Sequence, residues 1–285
     1  MKNIYIYGIP THAGALFEGT EQAPKLIREA GLVSQLKEKG FSVVDFGDIE
    51  LKDELVRHNV PPVRNWPSPR IVWESIEDQA EKIFSKTGFT LFLGGDCSIE
   101  VGTFSAFRKV YGKNTQLLVL DGHVDTMEPS GNQCIGAAGM GLWFLLEGKS
   151  IWWKESTVTG KSISVIGPNQ IPEQTFGMSI ISMDQVKNSI NEVKQLLASL
   201  SSDTKILVHF DVDLLHEMIM PAAYAPNQDG LGYQTAKEML SLILSDSRVK
   251  GLEITEFSAV KEQANESAKI LIDLIANSLP KPEKG

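Results

Sequence analysis

The chain has 285 residues, of which 42% are hydrophobic, 22% charged and 8% aromatic, a composition typical of a folded globular protein and not of a disordered, collagen-like or coiled-coil chain. Its 27 Lys and Arg residues against 36 Asp and Glu residues give a net charge of -9, which disfavours nucleic acids and anionic membranes as partners. The two cysteines, Cys97 and Cys134, are too few for a disulfide framework.

Short runs rich in aliphatic and β-branched residues predict eight strands. In chain order they cover residues 4–7, 42–46, 90–93, 116–120, 162–166, 179–183, 205–210 and 252–255. Helical patterns lie between them, over residues 24–40, 184–200 and 234–244. Continuously apolar runs such as LLVL are typical of strands that are covered on both faces. We therefore expect a single α/β domain over residues 1–285 with a mainly parallel sheet.

Two long connections interrupt this order, and both are candidates for lids or surface crossings. Residues 51–69 contain four prolines, and residues 133–141 are rich in Gly and Ala. The apolar segment before Gly8 is too short for a signal peptide, and no run reaches the roughly 18 to 20 apolar residues of a membrane helix. We expect a cytoplasmic protein.

Acidic residues follow four of the predicted strands. The segments are Gly94-Gly95-Asp96-Cys97-Ser98, Asp121-Gly122-His123-Val124-Asp125, Asp211-Val212-Asp213 and the single residue Glu256. The carboxyl ends of parallel strands form the edge of a sheet where ligands bind, so these side chains are expected to converge. Because side chains alternate along an extended segment, Asp121, His123 and Asp125 can point the same way.

So many like charges at low dielectric repel one another, and a divalent cation removes the repulsion. Carboxylates mixed with imidazole suit Mn, Fe, Co or Zn, and two such ions about 3.5–4 Å apart activate water for hydrolysis. Each motif alone has another interpretation, because Asp after a strand is often a helix N-cap or a turn residue. Glu256 alone is also typical of a solvated strand end. Their occurrence at successive strand ends favours a metal centre.

These motifs resemble those of the ureohydrolase family of arginases and agmatinases, which are similar to GGDH-S, DAH-x-D and D-x-D followed by a strand-end Glu. The segment GTEQAPKLIREAGL, residues 19–32, also resembles the opening segment of the family. The resemblance implies a three-layer α/β/α sandwich with an eight-stranded, mainly parallel sheet. It also implies a homo-oligomer, either a trimer or a hexamer.

The resemblance further implies a site for two Mn²⁺ ions. Asp121 and Asp211 bridge the ions, His123 and Asp213 complete the second site, and Asp125 completes the first. Asp125 also accepts a hydrogen bond from the attacking hydroxide. These roles make the four aspartates and the histidine the expected metal ligands, and Cys97 is a further candidate ligand.

Several positions depart from the family pattern. Cys97 stands where the family has the first-site histidine, and because a thiol is a soft ligand for Mn²⁺ we expect one tightly bound Mn²⁺ and a first site that is weak, empty or altered. The alternative for Cys97 is a small buried residue under the glycine turn. Ala138 occupies the place of an arginase histidine used in proton transfer. Ser130 and Asn132 resemble the arginase contacts to the substrate head group, although they equally suit an ordinary polar turn.

Two further features complete the predicted site. The resemblance implies that Glu256 binds the cationic guanidinium of the substrate, a role that its charge fits. The D-x-D motif continues into His216 instead of the family's x-x-D-P, and His216 is either a surface histidine or a replacement proton-transfer group.

The sequence therefore predicts a metal-dependent hydrolase that cleaves the linear C–N bond of a small guanidino compound, such as arginine or a modified arginine. The products would be an amine and urea or a urea derivative. An agmatinase- or formimidoylglutamase-type activity is one alternative. A non-catalytic relative that keeps the fold for assembly or regulation is the other, although a purely structural role would not require the clustered charge.

Overall fold

The computed structural model describes residues 3–52, 56–85, 87–148, 152–154 and 157–282. Eight strands form one sheet, and every pairing in it is parallel, so the expected eight-stranded sheet is confirmed. The strands are β1 (Asn3–Gly8), β2 (Ser42–Asp48), β3 (Phe89–Leu93), β4 (Thr115–Leu120), β5 (Ile163–Ile166), β6 (Ser179–Ile181), β7 (Lys205–Asp211) and β8 (Val249–Thr255). Their order across the sheet is β2-β1-β3-β8-β7-β4-β5-β6.

Helices cover both faces of the sheet. They are α1 (Ala23–Glu29), α2 (Leu32–Glu38), α3 (Ser68–Asp78), α4 (Ala80–Phe84), α5 (Ile99–Tyr111), α6 (Gly141–Glu147), α7 (Met183–Asn188), α8 (Asn191–Ser199), α9 (Tyr233–Leu244) and α10 (Ala264–Ser278). Helices α3 to α6 pack on one face, and α1, α2 and α7 to α10 pack on the other. The three-layer α/β/α architecture follows from this arrangement.

Side chains that alternate along β4 contribute to two hydrophobic cores, one on each face of the sheet. Leu118 and Leu120 belong to the hydrophobic cluster under α1, α2 and α7 to α10, whereas Leu117 and Val119 belong to the cluster under α3 to α6. All four are buried. A strand that is covered on both faces has no polar face, which is why the sequence shows the continuous run LLVL.

Two predicted helices are each divided in the structure. Gly31 has φ 103° and ψ 18°, a left-handed conformation that ends the first helical segment and separates α1 from α2. Ser189 has extended backbone dihedrals and separates α7 from α8. The hydrophobic periodicity continues through both breaks, so the pattern alone predicts single helices.

The sheet order brings the acidic motifs together. Strands β3, β8, β7 and β4 are consecutive neighbours, and they are the four strands that the acidic motifs follow. The two long connections contact each other: Val63 forms an isolated parallel bridge with Ile135, and the Arg64 N–H donates to the Ile135 carbonyl (2.8 Å). Residues 53–55 of the first connection lie outside the described residues. Among the helices that the structure describes, none has the length and apolarity needed to cross a membrane.

Candidate metal centre

Three of the four side chains that were expected to form the second site, Asp121, His123 and Asp213, lie together. Nδ1 of His123 is 2.9 Å from Oδ2 of Asp213 and 3.5 Å from Oδ1 of Asp121. One donor atom from each of the three lies within 4.8 Å of the others, which is close enough for a single metal ion. The two aspartates are buried, while 56% of the His123 side chain is exposed. The second site therefore has two carboxylates in the interior and an imidazole at the mouth.

Backbone hydrogen bonds fix these carboxylates. Oδ1 of Asp121 accepts from the His123 N–H (2.6 Å), and Oδ1 of Asp211 accepts from the Asp213 N–H (2.7 Å). Each contact spans two residues, because the chain turns immediately after its strand. Oδ1 of Asp213 accepts from the Gly122 N–H (3.1 Å), which ties the end of β7 to the end of β4.

Gly122 replaces the alanine of the family motif, and the structure gives a steric reason. A Cβ added at Gly122 would lie 2.6 Å from Nδ2 of Asn227. Nδ2 of Asn227 donates to the backbone carbonyl of Asp213 (2.9 Å), and Oδ1 of Asn227 accepts from Nδ2 of Asn169 (2.9 Å). The asparagine side chain thus fills the space of the missing methyl group and supports the Asp213 backbone.

Cys97 is buried beside Asp211. Its Sγ is 3.1 Å from Oδ2 of Asp211, and the residue is 1% exposed. The side chain of His209, which the sequence analysis did not select, is also at this position: its Nε2 is 3.2 Å from Sγ of Cys97. Donor atoms of Cys97, Asp121 and His209 lie within 4.8 Å of one another and form a second candidate cluster.

Burial and mutual repulsion dominate the electrostatics of these side chains. Burial, with neighbouring carboxylates adding to it, raises the pKa of Asp211 and of Asp125 well above the ordinary value. Burial and Asp121 raise the pKa of Asp213 to about 6. Hydrogen bonds to Asp121 and Asp213 raise the pKa of His123 to about 12. A cation bound among these carboxylates would relieve the repulsion that raises their pKa values.

Asp125 and Glu256 share an uncommon backbone conformation. Their φ angles are 47° and 59°, and they are two of the four non-glycine residues with positive φ in the described part of the chain. Such a conformation costs free energy and is often retained at functional sites. The Glu256 N–H donates to the Gly95 carbonyl (3.0 Å), and its Oε1 accepts from the Cys97 N–H (2.7 Å). The glutamate is therefore fixed beside the cysteine.

A cavity of about 360 Å³ opens over these side chains. Its lining includes Cys97, His123, Asp125, Asp211, Asp213 and Glu256. Ala138 also contributes to the lining, so the loop that carries a histidine in arginases does reach this cavity, but with a methyl group. A larger neighbouring cavity of about 750 Å³ shares His123 and Asp125 with the first.

The remaining predicted residues lie outside the linings of both cavities. Oγ of Ser130 accepts from the Asn132 N–H (3.4 Å), which places both residues on a polar turn. Nδ1 of His216 accepts from the Met218 N–H (3.1 Å), and His216 is partly exposed. The substrate-binding role of Ser130 and Asn132 stays a prediction.

A group of buried polar residues beneath the centre was missed. Nδ1 of His209 is 2.8 Å from Oε1 of Glu253 and 3.9 Å from Oε2 of Glu100. Burial, together with Glu253, raises the pKa of Glu100 well above the ordinary value. A signal was present in the sequence for His209, because it precedes Asp211 by two residues and so shares its face of an extended strand.

The chain is similar to known proteins over nearly its whole length. A model described as "Arginase family" matches residues 2–279. The chain is 29% identical over 276 residues to "Arginase-1" of Bos taurus, which covers 90% of this chain and 84% of the relative. In fold it is similar to an arginase from Bacillus cereus (TM-score 0.84, 24% identity, 99% of this chain and 100% of the other). It is also similar to a formimidoylglutamase from Bacillus subtilis subsp. subtilis str. 168 (TM-score 0.75, 19% identity, 98% and 86%).

Proposed function

The chain belongs to the arginase family, and we propose that it is a metal-dependent hydrolase of the linear C–N bond of a small guanidino compound, releasing an amine and urea or a urea derivative. The observation that carries the proposal is one cavity lined by Asp125, Asp211, Asp213, His123 and Glu256. A cation at the sheet edge and a cationic substrate above it both suit this density of negative charge.

The residues of the centre fit metal ions. Oδ2 of Asp121 is buried and has no hydrogen-bond partner in the described part of the chain, which is costly for a carboxylate unless a cation binds it. Asp121, His123 and Asp213 would hold Mn²⁺ at the second site, with Asp211 shared between the two sites. When bound, the metal ions supply Lewis acidity and lower the pKa of water.

We assign Asp125 and Glu256 different tasks. Asp125 lines both cavities and would orient the attacking water by accepting its hydrogen bond. Glu256 would accept hydrogen bonds from the guanidinium, and the cation would serve as the charge partner of this buried carboxylate. Glu256 is fixed by the Cys97 N–H, so it can orient the planar cation before reaction.

The larger cavity suits the substrate tail. Its lining includes Asn169, Gln170 and Asp229 in addition to His123 and Asp125, so several polar groups are available to bind a polar substrate tail. Ser130 and Asn132 stay candidates for head-group contacts. A modified arginine or another guanidino compound is as well supported as free arginine, because the head-group loop departs from the arginase pattern.

The test is a substrate panel with metal analysis. Protein purified without chelator is assayed for metal content and, after addition of Mn²⁺, for urea and amine release from arginine, modified arginines, agmatine and other guanidines. We expect a divalent metal and product from at least one guanidino compound. Metal-loaded, folded protein that releases no product from any member of the panel would contradict the proposal.

Ala138 favours a second candidate function. It lines the cavity at the place of the proton-transfer histidine, so a substrate that needs less help in proton transfer is a plausible alternative. The amidine formimidoylglutamate is the alternative substrate that we consider, and its product would be formamide in place of urea. Product identity separates the two activities. Absence of both products, with metal bound, would instead indicate a non-catalytic relative.

Three properties stay predictions. They are the identity of the metal as Mn²⁺, a homo-oligomeric assembly as a trimer or hexamer, and a cytoplasmic location. Metal analysis and light scattering test the first two directly.

A further inference from the structure

A histidine that is not part of the metal-binding motifs lies beside Cys97. His209 lies in β7, and the residue is fully buried. Its Nε2 is 3.2 Å from Sγ of Cys97, and that sulfur is 3.1 Å from Oδ2 of Asp211. Donor atoms of Cys97, Asp121 and His209 all lie within 4.8 Å of one another. Sulfur, nitrogen and oxygen donors therefore surround one point.

An unpartnered oxygen of the Asp121 carboxylate gives independent evidence for a cation. Oδ2 of Asp121 is buried and has no hydrogen-bond partner in the described part of the chain, whereas Oδ1 of the same carboxylate accepts from the His123 N–H. A buried acceptor without a partner loses its hydration without compensation. A metal ion between Asp121 and Cys97 would supply the missing interaction.

The surroundings of His209 prepare its ring for metal binding. His209 and Glu253 are register partners in the neighbouring parallel strands β7 and β8, and Nδ1 of His209 is 2.8 Å from Oε1 of Glu253. A carboxylate that accepts from one ring nitrogen directs the lone pair of the other nitrogen to a metal. Thr255 Oγ1, which is 3.2 Å from Nε2, also has the Phe210 carbonyl within reach (3.4 Å) and can turn to it.

We propose that Cys97 and His209, together with Asp121 and Asp211, form a first metal site whose imidazole comes from strand β7 instead of the glycine turn after β3. A thiolate and an imidazole favour Zn²⁺, Co²⁺ or Fe²⁺ over Mn²⁺, whereas the second site has only carboxylates and imidazole. The centre would then bind two different metals. This proposal concerns the centre of the proposed function and rests on its metal dependence, but its test reads metal binding and needs no substrate.

Cobalt titration reports the sulfur ligand directly. Chelator-treated, refolding-competent protein is titrated with Co²⁺ to two equivalents while the near-ultraviolet thiolate-to-cobalt charge-transfer absorption is followed. We expect this band to saturate at one cobalt per chain, to be lost in Cys97→Ser and to persist in Cys134→Ser, which removes the other thiol. Zn²⁺ should displace the band at much lower concentration than Mn²⁺. No band in the wild type, or a band that survives in Cys97→Ser, would overturn the proposal.

Histidine variants test the second new element. Loss of a residue that only supports a metal ligand typically weakens metal affinity by roughly 10- to 100-fold. His209→Gln removes a ligand itself, so it should weaken Co²⁺ binding at the site that gives the charge-transfer band by at least this factor. Glu253→Gln should weaken it by roughly 10- to 100-fold, and it carries the same test when His209→Gln does not fold, as judged by circular dichroism. The matched control His216→Gln should leave affinity unchanged. Unchanged affinity in a folded His209→Gln variant would show a buried structural histidine and refute the site.

The outcomes separate this inference from the proposed function. Turnover of a guanidino compound with Mn²⁺ alone and no charge-transfer band would keep the proposed function and defeat the first site. A cysteine-dependent band with no product from any substrate would keep the site and defeat the proposed function.

Discussion

Asp213→Asn should make the metal-free protein more stable at neutral pH. Asp213 is 1% exposed, and burial together with Asp121 raises its pKa to about 6 from 3.8. A group whose pKa is raised on folding contributes stability that is complete below the unfolded pKa, and this stability is lost as pH rises through the folded pKa. The wild type therefore loses stability between about pH 4 and pH 6, and asparagine, which does not ionise, avoids the loss.

The size of the effect follows from the two pKa values. At about 1.4 kcal/mol for each tenfold change in the ionisation constant, ionising Asp213 costs about 3 kcal/mol more in the folded protein than in the unfolded chain. Urea unfolding in the presence of chelator should show the variant and wild type nearly equal at about pH 4 and the variant more stable by up to about 3 kcal/mol at about pH 8. Asp229→Asn, at an exposed carboxylate, is the control and should show no such trend.

Metal addition should reverse the order. Saturating Mn²⁺ stabilises the folded wild type by mass action, and the variant, which has lost a second-site ligand, should gain much less. A variant that is less stable than wild type at pH 8 without metal, or a difference that does not change with pH, would refute the reasoning that places Asp213 in a crowded acidic centre.

Three further predictions concern the same region. Glu256→Gln should keep the metal content and lower kcat/KM by roughly 100-fold or more, because a buried partner of the cationic substrate is removed; loss of metal would make Glu256 a ligand instead. Thiol titration should find one rapidly reacting thiol, Cys134, in the native protein and two after denaturation without reductant, since both cysteines are free and Cys97 is buried; no titratable thiol after denaturation would indicate a disulfide between them. Ser130→Ala and Asn132→Ala should each raise KM roughly two- to tenfold without changing metal content, and an unchanged KM for the preferred substrate would remove them from the site.

The sheet was predictable because it lies between two hydrophobic cores, so both faces of its central strands are buried. Strands β3, β4 and β7 each contain an uninterrupted apolar run, LFL, LLVL and ILV respectively, and the eight predicted segments correspond to the eight observed strands. The breaks in the helices were not predictable from periodicity, since the apolar spacing continues across Gly31 and Ser189. Sheet order also lies beyond a single sequence, and it is this order that makes the acidic strand ends neighbours.

The candidate site was predictable where polar residues follow a strand and was missed where they lie within one. Asp121, His123, Asp211 and Asp213 are visible because they end apolar runs. His209 lies inside such a run, where a polar residue reads as a packed interior side chain. Its relation to Glu253 depends on the register of two strands that are distant in sequence, and a register of this kind emerges only in three dimensions.

The left-handed backbone at Asp125 and Glu256 bears on how this protein would respond to laboratory evolution. Glycine adopts that conformation freely, whereas a side chain there costs roughly 1–2 kcal/mol. Selection of a mutant library for heat resistance alone should therefore enrich glycine at both positions. Each glycine variant would lack one carboxylate that lines the cavity. Screens that rank variants by melting temperature would enrich inactive molecules at these two codons, so a selection for this protein must couple survival to turnover.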